Sequence, residues 1–267
     1  MILDKIVKSA EERVENKKNI LSFEDLKDKV ANKRDHNENY NSFEKVLKNR
    51  GLSFICEIKR ASPSKGIICN NFDHLKTAEE YENGGASAIS VLTEPYFFKG
   101  DDSYLLDVTT NLNLPVLRKD FVVDSYMIYE AKLLGASSIL LISSILDYDK
   151  LKKFIGISYE LNIYPVVEVH DLNEIKVAIE AGAKIIGINN RNLKDFSVDI
   201  KNSIFLQKQI PKKIRNDLTV ISESGIKNSD DIKLLNDNNI DAVLIGESLM
   251  RSDDKNLAIN SLKSKLF

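Results

Sequence analysis

The sequence predicts an α/β protein: one domain over residues 1–267, built as a (β/α)8 or TIM barrel, with residues 1–50 as an N-terminal helical extension. Three observations predict this. Eight short apolar runs rich in Ile and Val alternate with longer amphipathic stretches, and eight βα units in roughly 215 residues suit a closed barrel. Glycine followed by alanine recurs just before several of the runs. Charged residues collect where the runs end, the end of a barrel at which chemistry is carried out. An open doubly wound sheet is the rival, but it usually has fewer strands, and its G-x-G-x-x-G fingerprint is missing.

The extension has a different texture. It is rich in Lys, Glu, Asp and Asn, and its first fifty residues contain no glycine. Ile2, Leu3, Ile6, Val7, Ala10 and Val14 share one helical stripe. Ser22 followed by Asp25 reads as a helix start, with a second helix over about 23–32, and Phe43, Val46 and Leu47 mark a short third one. Two readings stay open for this segment, a solvated arm and a cover over the substrate.

The strand candidates are SFICEIK (53–59), ASAISVLT (86–93), PVLRKD (115–120), ASSILLI (136–142), IYPVVEV (163–169), AKIIGINN (183–190), LTVISES (218–224) and IDAVLIG (240–246). Each is short enough to be buried on both faces. Segments such as 125–135, 171–182 and 228–239 carry helical patterning between them. Gly84-Gly85-Ala86, Gly135-Ala136 and Gly182-Ala183 supply the left-handed turn that ends a helix before the next strand.

Composition excludes several functions. Lys and Arg total 38 against 40 Asp and Glu, a net charge of −2, so no global field favours nucleic acid or an anionic membrane. No run approaches the length of a membrane span, and the charged first residues lack the apolar core of a signal peptide, so a cytoplasmic protein is expected. Two cysteines, Cys56 and Cys69, make neither a disulfide scaffold nor a metal knuckle. His36 and His74 lie in polar surface stretches. His170 is expected to face away from Glu168, as a loop or helix-cap residue.

Alternation places Glu57 and Lys59 together inside the barrel and turns Cys56 and Ile58 towards the helices. A charge inside a barrel needs partners, because an unpaired buried charge is costly. Lys119, Glu168, Asn189, Arg191 and Glu223 end other strands and converge on the same mouth. Ser224-Gly225 and Gly246-Glu247 fall after strands seven and eight, where such barrels commonly hold phosphate on backbone N–H groups. Phe97 and Phe98 after strand two either pack in a loop or wall an aromatic substrate.

These residues resemble the indole-3-glycerol-phosphate synthase family. The resemblance rests on Glu57-Ile-Lys59-Arg-Ala-Ser62-Pro63-Ser64-Lys65-Gly66, on Thr93-Glu94 with Phe98-Lys-Gly100-Asp101, and on Pro115-Val-Leu-Arg-Lys119-Asp120-Phe121. It continues through Glu168-Val-His, Gly187-Ile-Asn189-Asn190-Arg191-Asn-Leu193, Ser222-Glu223-Ser224-Gly225-Ile226 and Ile245-Gly246-Glu247-Ser248-Leu249-Met250. It covers about residues 50–252 strongly and the extension loosely.

The resemblance implies a lyase of tryptophan synthesis that uses no metal or organic cofactor. It would convert 1-(2-carboxyphenylamino)-1-deoxyribulose 5-phosphate to indole-3-glycerol phosphate, with loss of CO2 and water. It implies Lys119 as general acid in ring closure, Glu168 as general base, and Lys59 as a second cation, with the division between the two lysines left open. Glu57 and Asn189 would orient these groups. Ser62, Phe98, Arg191, Glu223 and Ser224 would contact substrate, and Gly225, Gly246 and Glu247 its phosphate. The implied partner is a phosphorylated small molecule, and the implied state a monomer. Phosphoribosylanthranilate isomerase, a Schiff-base aldolase and a non-catalytic phosphate-binding barrel are the rivals. The first expects a cysteine at the strand-one mouth, where Glu57 and Lys59 stand.

Overall fold

A computed structural model describes residues 2–33, 43–48, 51–192 and 197–266. Eight parallel strands close into a barrel: β1 (Ser53–Ile58), β2 (Ala88–Leu92), β3 (Val116–Lys119), β4 (Ser138–Ile142), β5 (Tyr164–Val169), β6 (Ile185–Asn189), β7 (Thr219–Glu223) and β8 (Ala242–Ile245). Neighbours in sequence are neighbours in the barrel, and β8 pairs with β1 to close it. Every apolar run of the sequence yields a strand, trimmed by one to three residues at its ends, where ladder hydrogen bonds give way to loops.

Alternation divides the strand side chains between two cores. Ile55, Leu117, Val166, Ile185 and Ile221 point inward, with Phe43, Val46 and Leu47 of the short helix α3 (Phe43–Leu47) packed against them. Cys56, Ile58, Ile89, Val91, Val167, Ile186 and Val220 point outward into a larger core shared with the helices. The inner residues also set the site. Glu57, Lys119, Glu168 and Glu223 each lie two positions after one of them, one pleat nearer the C-terminal mouth.

Helices α4 (His74–Asn83), α5 (Asp102–Asn111), α6 (Tyr126–Leu133), α7 (Tyr148–Glu160) and α8 (Leu172–Glu180) cover the first five units. Units six to eight use α9 (Lys201–Gln207), α10 (Lys212–Arg215), α11 (Ser229–Asp237), α12 (Glu247–Met250) and α13 (Lys255–Lys263). Asp73, Asp101, Asp147, Asp171 and Asn228 cap their helices with a side-chain oxygen. The glycine punctuation works as the sequence suggests. Gly135 and Gly182 adopt φ of 86° and 97°, and the N–H of Ala136 and of Ala183 bonds back to Ala131 and Ala178 at 3.0 Å. Asn162 and Asn239 make the same left-handed turn at φ of 55° and 58°, a use of asparagine that glycine counting overlooks.

The described part of the extension is not a solvated arm. Helix α1 (Ile2–Ile20) buries Ile6, Ala10 and Val14, and α2 (Phe23–Asn32), capped by Ser22, buries Leu26 and Val30. Arg13 Nη2 meets Asp120 Oδ1 at 2.7 Å, Lys17 Nζ meets Glu130 Oε1 at 2.6 Å, and Lys18 Nζ meets Asp124 Oδ2 at 2.9 Å. These ties bring Ile2, Leu3 and Ile6 into the wall of the barrel mouth. His36 and Leu193 lie outside the described residues.

Candidate active site

A cavity of about 490 Å³ opens at the C-terminal mouth, a size suited to a small organic ligand. All thirteen residues singled out by the sequence line it: Glu57, Lys59, Ser62, Phe98, Lys119, Glu168, Asn189, Arg191, Glu223, Ser224, Gly225, Gly246 and Glu247. Of the two readings open for the extension, the cover over the substrate is the one that α1 fits, since it lines the cavity; Phe121 and Arg251 line it too and are not among the sequence candidates. The apolar stripe of α1 was the available signal for that cover.

Lys119 is the hub. Its Nζ donates to Glu223 Oε2 at 2.6 Å and to Glu168 Oε2 at 3.0 Å. Strands β3 and β7 stand on opposite sides of the barrel, so the first contact crosses the mouth. Asn189 Nδ2 donates to the other Glu168 oxygen at 3.1 Å, and Asn189 Oδ1 accepts the Arg191 N–H at 3.0 Å. Lys59 pairs with Glu57 Oε1 on the neighbouring wall. Two glycines make room for these carboxylates. A Cβ at Gly187 would collide with Glu223 Oε1, and one at Gly246 with Glu57 Oε1.

Burial and charge tune the three central groups in different directions. Burial works to strip the Lys119 ammonium of its proton. The carboxylates of Glu223, Glu168 and Glu57 outweigh it and hold the pKa above the ordinary lysine value. Burial works to raise Glu168, but Lys119, His170 and the Asn189 hydrogen bond prevail, and it is held below its ordinary value. Glu223 goes the other way. Burial, with Glu168 and Glu57 adding to it against the opposing pull of Lys119, pushes it up to about 7. A cation, a ready base and a carboxyl poised near neutrality therefore share one hydrogen-bonded group.

The far side of the cavity is made of backbone. Ser224 and Gly225 both take left-handed backbone, at φ of 69° and 89°. Gly246 begins α12 without a side-chain cap, which leaves the first-turn N–H groups for another acceptor. The loop after β1 folds into a small hairpin, Ala61–Ser62 against Gly66–Ile67, that brings Ser62, Ser64 and Lys65 to the rim. Phe98 faces the cavity with its ring 5.9 Å from that of Phe121, whereas Phe97 does not line it. Glu94 serves the loop and not the cavity, since its carboxylate accepts the N–H groups of Tyr96, Phe97 and Phe98 at 3.0, 2.6 and 2.9 Å.

One histidine expectation needs correction. His170 does not turn away from Glu168: its Nε2 lies 3.5 Å from Glu168 Oε1. Residues two apart share a face, and β5 ends only at Val169, so the imidazole stays on the Glu168 side. The loop half of the reading holds: His170 lies between β5 and α8, which Asp171 caps, and its N–H donates to Glu174 Oε2 at 2.7 Å. His74 is half-buried, with Nε2 2.8 Å from Asp107 Oδ2 and its ring stacked 4.5 Å from that of Tyr104. Cys56 behaves as expected. It is buried among the helices, and burial pushes its thiol up to about 12, so it offers no nucleophile.

Comparison with known proteins identifies the fold and the family. The barrel resembles the crystal structure of 3-hexulose-6-phosphate synthase from Salmonella typhimurium, with a TM-score of 0.65 over 80% of this chain and 97% of that one. At 15% identity that likeness speaks for the fold alone. In sequence, the chain is 51% identical over 263 residues to the indole-3-glycerol phosphate synthase of Ruminiclostridium cellulolyticum, covering 98% of this chain and 99% of the relative. It is 46% identical to that of Lachnoclostridium phytofermentans, along the full length of both. The profile of indole-3-glycerol phosphate synthase matches residues 3–262, and the chain belongs to that family.

Proposed function

We propose that the mouth of this barrel closes the indole ring of 1-(2-carboxyphenylamino)-1-deoxyribulose 5-phosphate, with Lys119 as the acid of the first step. The observation that carries this is the Lys119 ammonium, held charged between two carboxylates at 2.6 and 3.0 Å on the wall of a closed-in cavity. Ring closure needs a proton at the ribulose ketone oxygen while the ring carbon bearing the carboxylate attacks the ketone carbon. A buried ammonium supplies that proton and attracts the substrate carboxylate before it leaves as CO2.

Dehydration follows. The new hydroxyl leaves as water with a second proton, for which Lys59 is the second acid. Glu168 takes the proton whose loss makes the ring aromatic, and its lowered pKa keeps it ionised and ready. Glu57 aligns Lys59, and Asn189 aligns Glu168. Phe98 walls the aromatic ring, and Ser62 and Arg191 meet substrate polar groups. Glu223 and Ser224 complete the rim. Backbone N–H groups of Gly225, Gly246 and Glu247 hold the phosphate, supported by the uncapped start of α12.

The chain works in this reading as one domain and one copy, because all the groups named come from one mouth. It acts in the cytoplasm, consistent with the finding that no helix among the described residues is long and apolar enough to cross a membrane. The test is turnover. Purified protein is mixed with the substrate in EDTA buffer and indole fluorescence is followed, with Lys119→Met alongside. The wild type should form indole, and the variant should lose about 10² or more in kcat. A loss under tenfold would remove Lys119 from the central role, and no turnover by folded wild type would reject the reading.

A further inference from the structure

Asn190, the residue after β6, does not line the cavity and has no part in the chemistry above. It is 4% exposed, and every polar group of its amide is engaged. Its Oδ1 accepts the Ser203 N–H at 3.0 Å and the Ser203 hydroxyl at 2.7 Å. Its Nδ2 donates to Ser222 Oγ at 2.9 Å and to the Ser224 carbonyl at 3.1 Å. Its backbone N–H donates to the Glu223 carbonyl at 2.9 Å. One residue therefore holds two consecutive carbonyls where β7 runs into the mouth.

Each of those carbonyls shares a trans peptide with the next N–H, and the two ends of such a peptide point in opposite directions. Holding the carbonyls of Glu223 and Ser224 from the Asn190 side turns the N–H groups of Ser224 and Gly225 to the other side. Neither N–H makes a hydrogen bond among the described residues, and both residues line the cavity. Two successive N–H groups aimed one way form a nest for an anion. The backbone there is constrained, since Ser224 sits at φ 69°, in the region that favours glycine. Rotating the Ser224–Gly225 peptide by half a turn would take Gly225 from φ 89° to a negative value, which glycine adopts as readily. Its N–H would then aim away from the mouth. Glycine permits both settings, and the bond from Asn190 to the Ser224 carbonyl selects one.

We propose that the Asn190 side-chain amide is a positioning group for the phosphate end of the site, locking the Ser224–Gly225 peptide with its N–H towards the mouth. This deepens the proposed function and rests on it for the identity of the ligand, a phosphate monoester. Asn190 touches no substrate. Its part is complete before binding, so the phosphate meets donors that need no rearrangement. Ser203 fixes which end of the amide faces Ser224. A backbone N–H can only donate, so it holds Oδ1 on its own side and leaves Nδ2 for the carbonyl.

The experiment uses full-length Asn190→Ala and Asn190→Asp, with inorganic phosphate as the probe, titrated by calorimetry without substrate. The aspartate still accepts from Ser203, but it repels the Ser224 carbonyl and favours the turned peptide, whose N–H it can accept. The lock predicts that KM and the dissociation constant of phosphate rise together, with kcat within about threefold. Both constants rise about tenfold in the alanine variant and further in the aspartate variant. A merely structural role gives the reverse order, because aspartate keeps the volume and the Ser203 bonds. That order overturns the proposal, as do an unchanged phosphate constant and a fall in kcat with KM unchanged. If Asn190→Asp does not fold, KM and the phosphate constant of Asn190→Ala decide. If the wild type binds phosphate, the variants lose it and no indole forms, the lock stands and the proposed reaction fails. If indole forms and all three proteins bind phosphate equally, only the lock fails.

Discussion

Arg118 and Lys119 are consecutive residues of β3, and both are buried cations on opposite faces of the strand. Arg118 points outward and is 0% exposed. Its Nη2 donates to Asp102 Oδ1 at 2.8 Å and to Glu130 Oε2 at 2.7 Å, its Nη1 to the Met127 carbonyl at 3.1 Å, and its Nε to Thr93 Oγ1 at 3.2 Å. Lys17 from α1 binds the same Asp102 and Glu130, and Arg13 binds Asp120 beside them. Lys119 points inward, with 13% of its side chain still open to the cavity. It meets two carboxylates, and the second oxygen of one, Glu223 Oε1, makes no hydrogen bond among the described residues. The outer network is paired throughout and ties helices to strand. The inner one carries more carboxylates than ammonium groups and faces a cavity. A buried charge held by several carboxylates and carbonyls away from solvent is a structural tie, and one left short of partners beside a cavity is a reactive group.

The largest effect that tests this contrast is on the outer face. Arg118→Met leaves the half-buried Asp102 and Glu130 with only Lys17, and the buried Asp120 with only Arg13, and should lower the free energy of unfolding by about 3–5 kcal/mol in a urea titration. A loss under about 1 kcal/mol would mean that the outer network is not the tie described here.

Next comes the backing of the inner group. Gly187→Ala pushes a methyl group against Glu223 Oε1 and Val166. It should cost about 1–3 kcal/mol of stability and lower kcat by moving the carboxylate off Lys119. Unchanged kcat would show that the position of Glu223 does not matter to the reaction.

The smallest effect is in pH dependence. The folded pKa of Glu223, about 7, lies above the ordinary carboxyl value of 4.5. Its proton therefore stabilises the fold fully below 4.5, and that contribution is lost as pH rises through about 7. Glu223→Gln, which keeps a neutral group at every pH, should gain stability over the wild type between pH 5 and pH 8. Asp102 in the outer network has the opposite sign. Burial acts to raise it, but Arg118 and Lys17 hold it low, so its contribution is present above the ordinary value of 3.8 and lost as pH falls. Urea midpoints at the two pH values check this, and a constant margin between variant and wild type would place the proton elsewhere.

Much of this site was legible in the sequence because strand alternation is a local rule. Knowing that Glu57 and Lys59 share the inner face of β1 needs only their spacing. The same holds for Cys56, which the rule sends outward and the structure buries among helices. His170 shows the limit. It was expected to turn away from Glu168, although its spacing of two puts it on the same side, and its contact with Glu174 depends on where α8 begins. Glu94 reads as one more charge at the mouth until the turn that it organises is seen. Ile2, Leu3 and Ile6 form an evident helical stripe, but a stripe does not say what it packs on.

Local pattern in the sequence specifies the eight βα units, the glycine turns between them, the inward and outward faces, and the identity of the residues at the mouth. Those features follow from short-range periodicity and backbone sterics. Packing in three dimensions brings Lys119 across to Glu223, docks α1 onto the barrel through Arg13 and Lys17, and sets His170 behind Glu168. Each of these contacts joins residues on different elements or fixes a side chain at a strand end, where closure of the barrel and helix placement set the distances and local pattern carries no information about them.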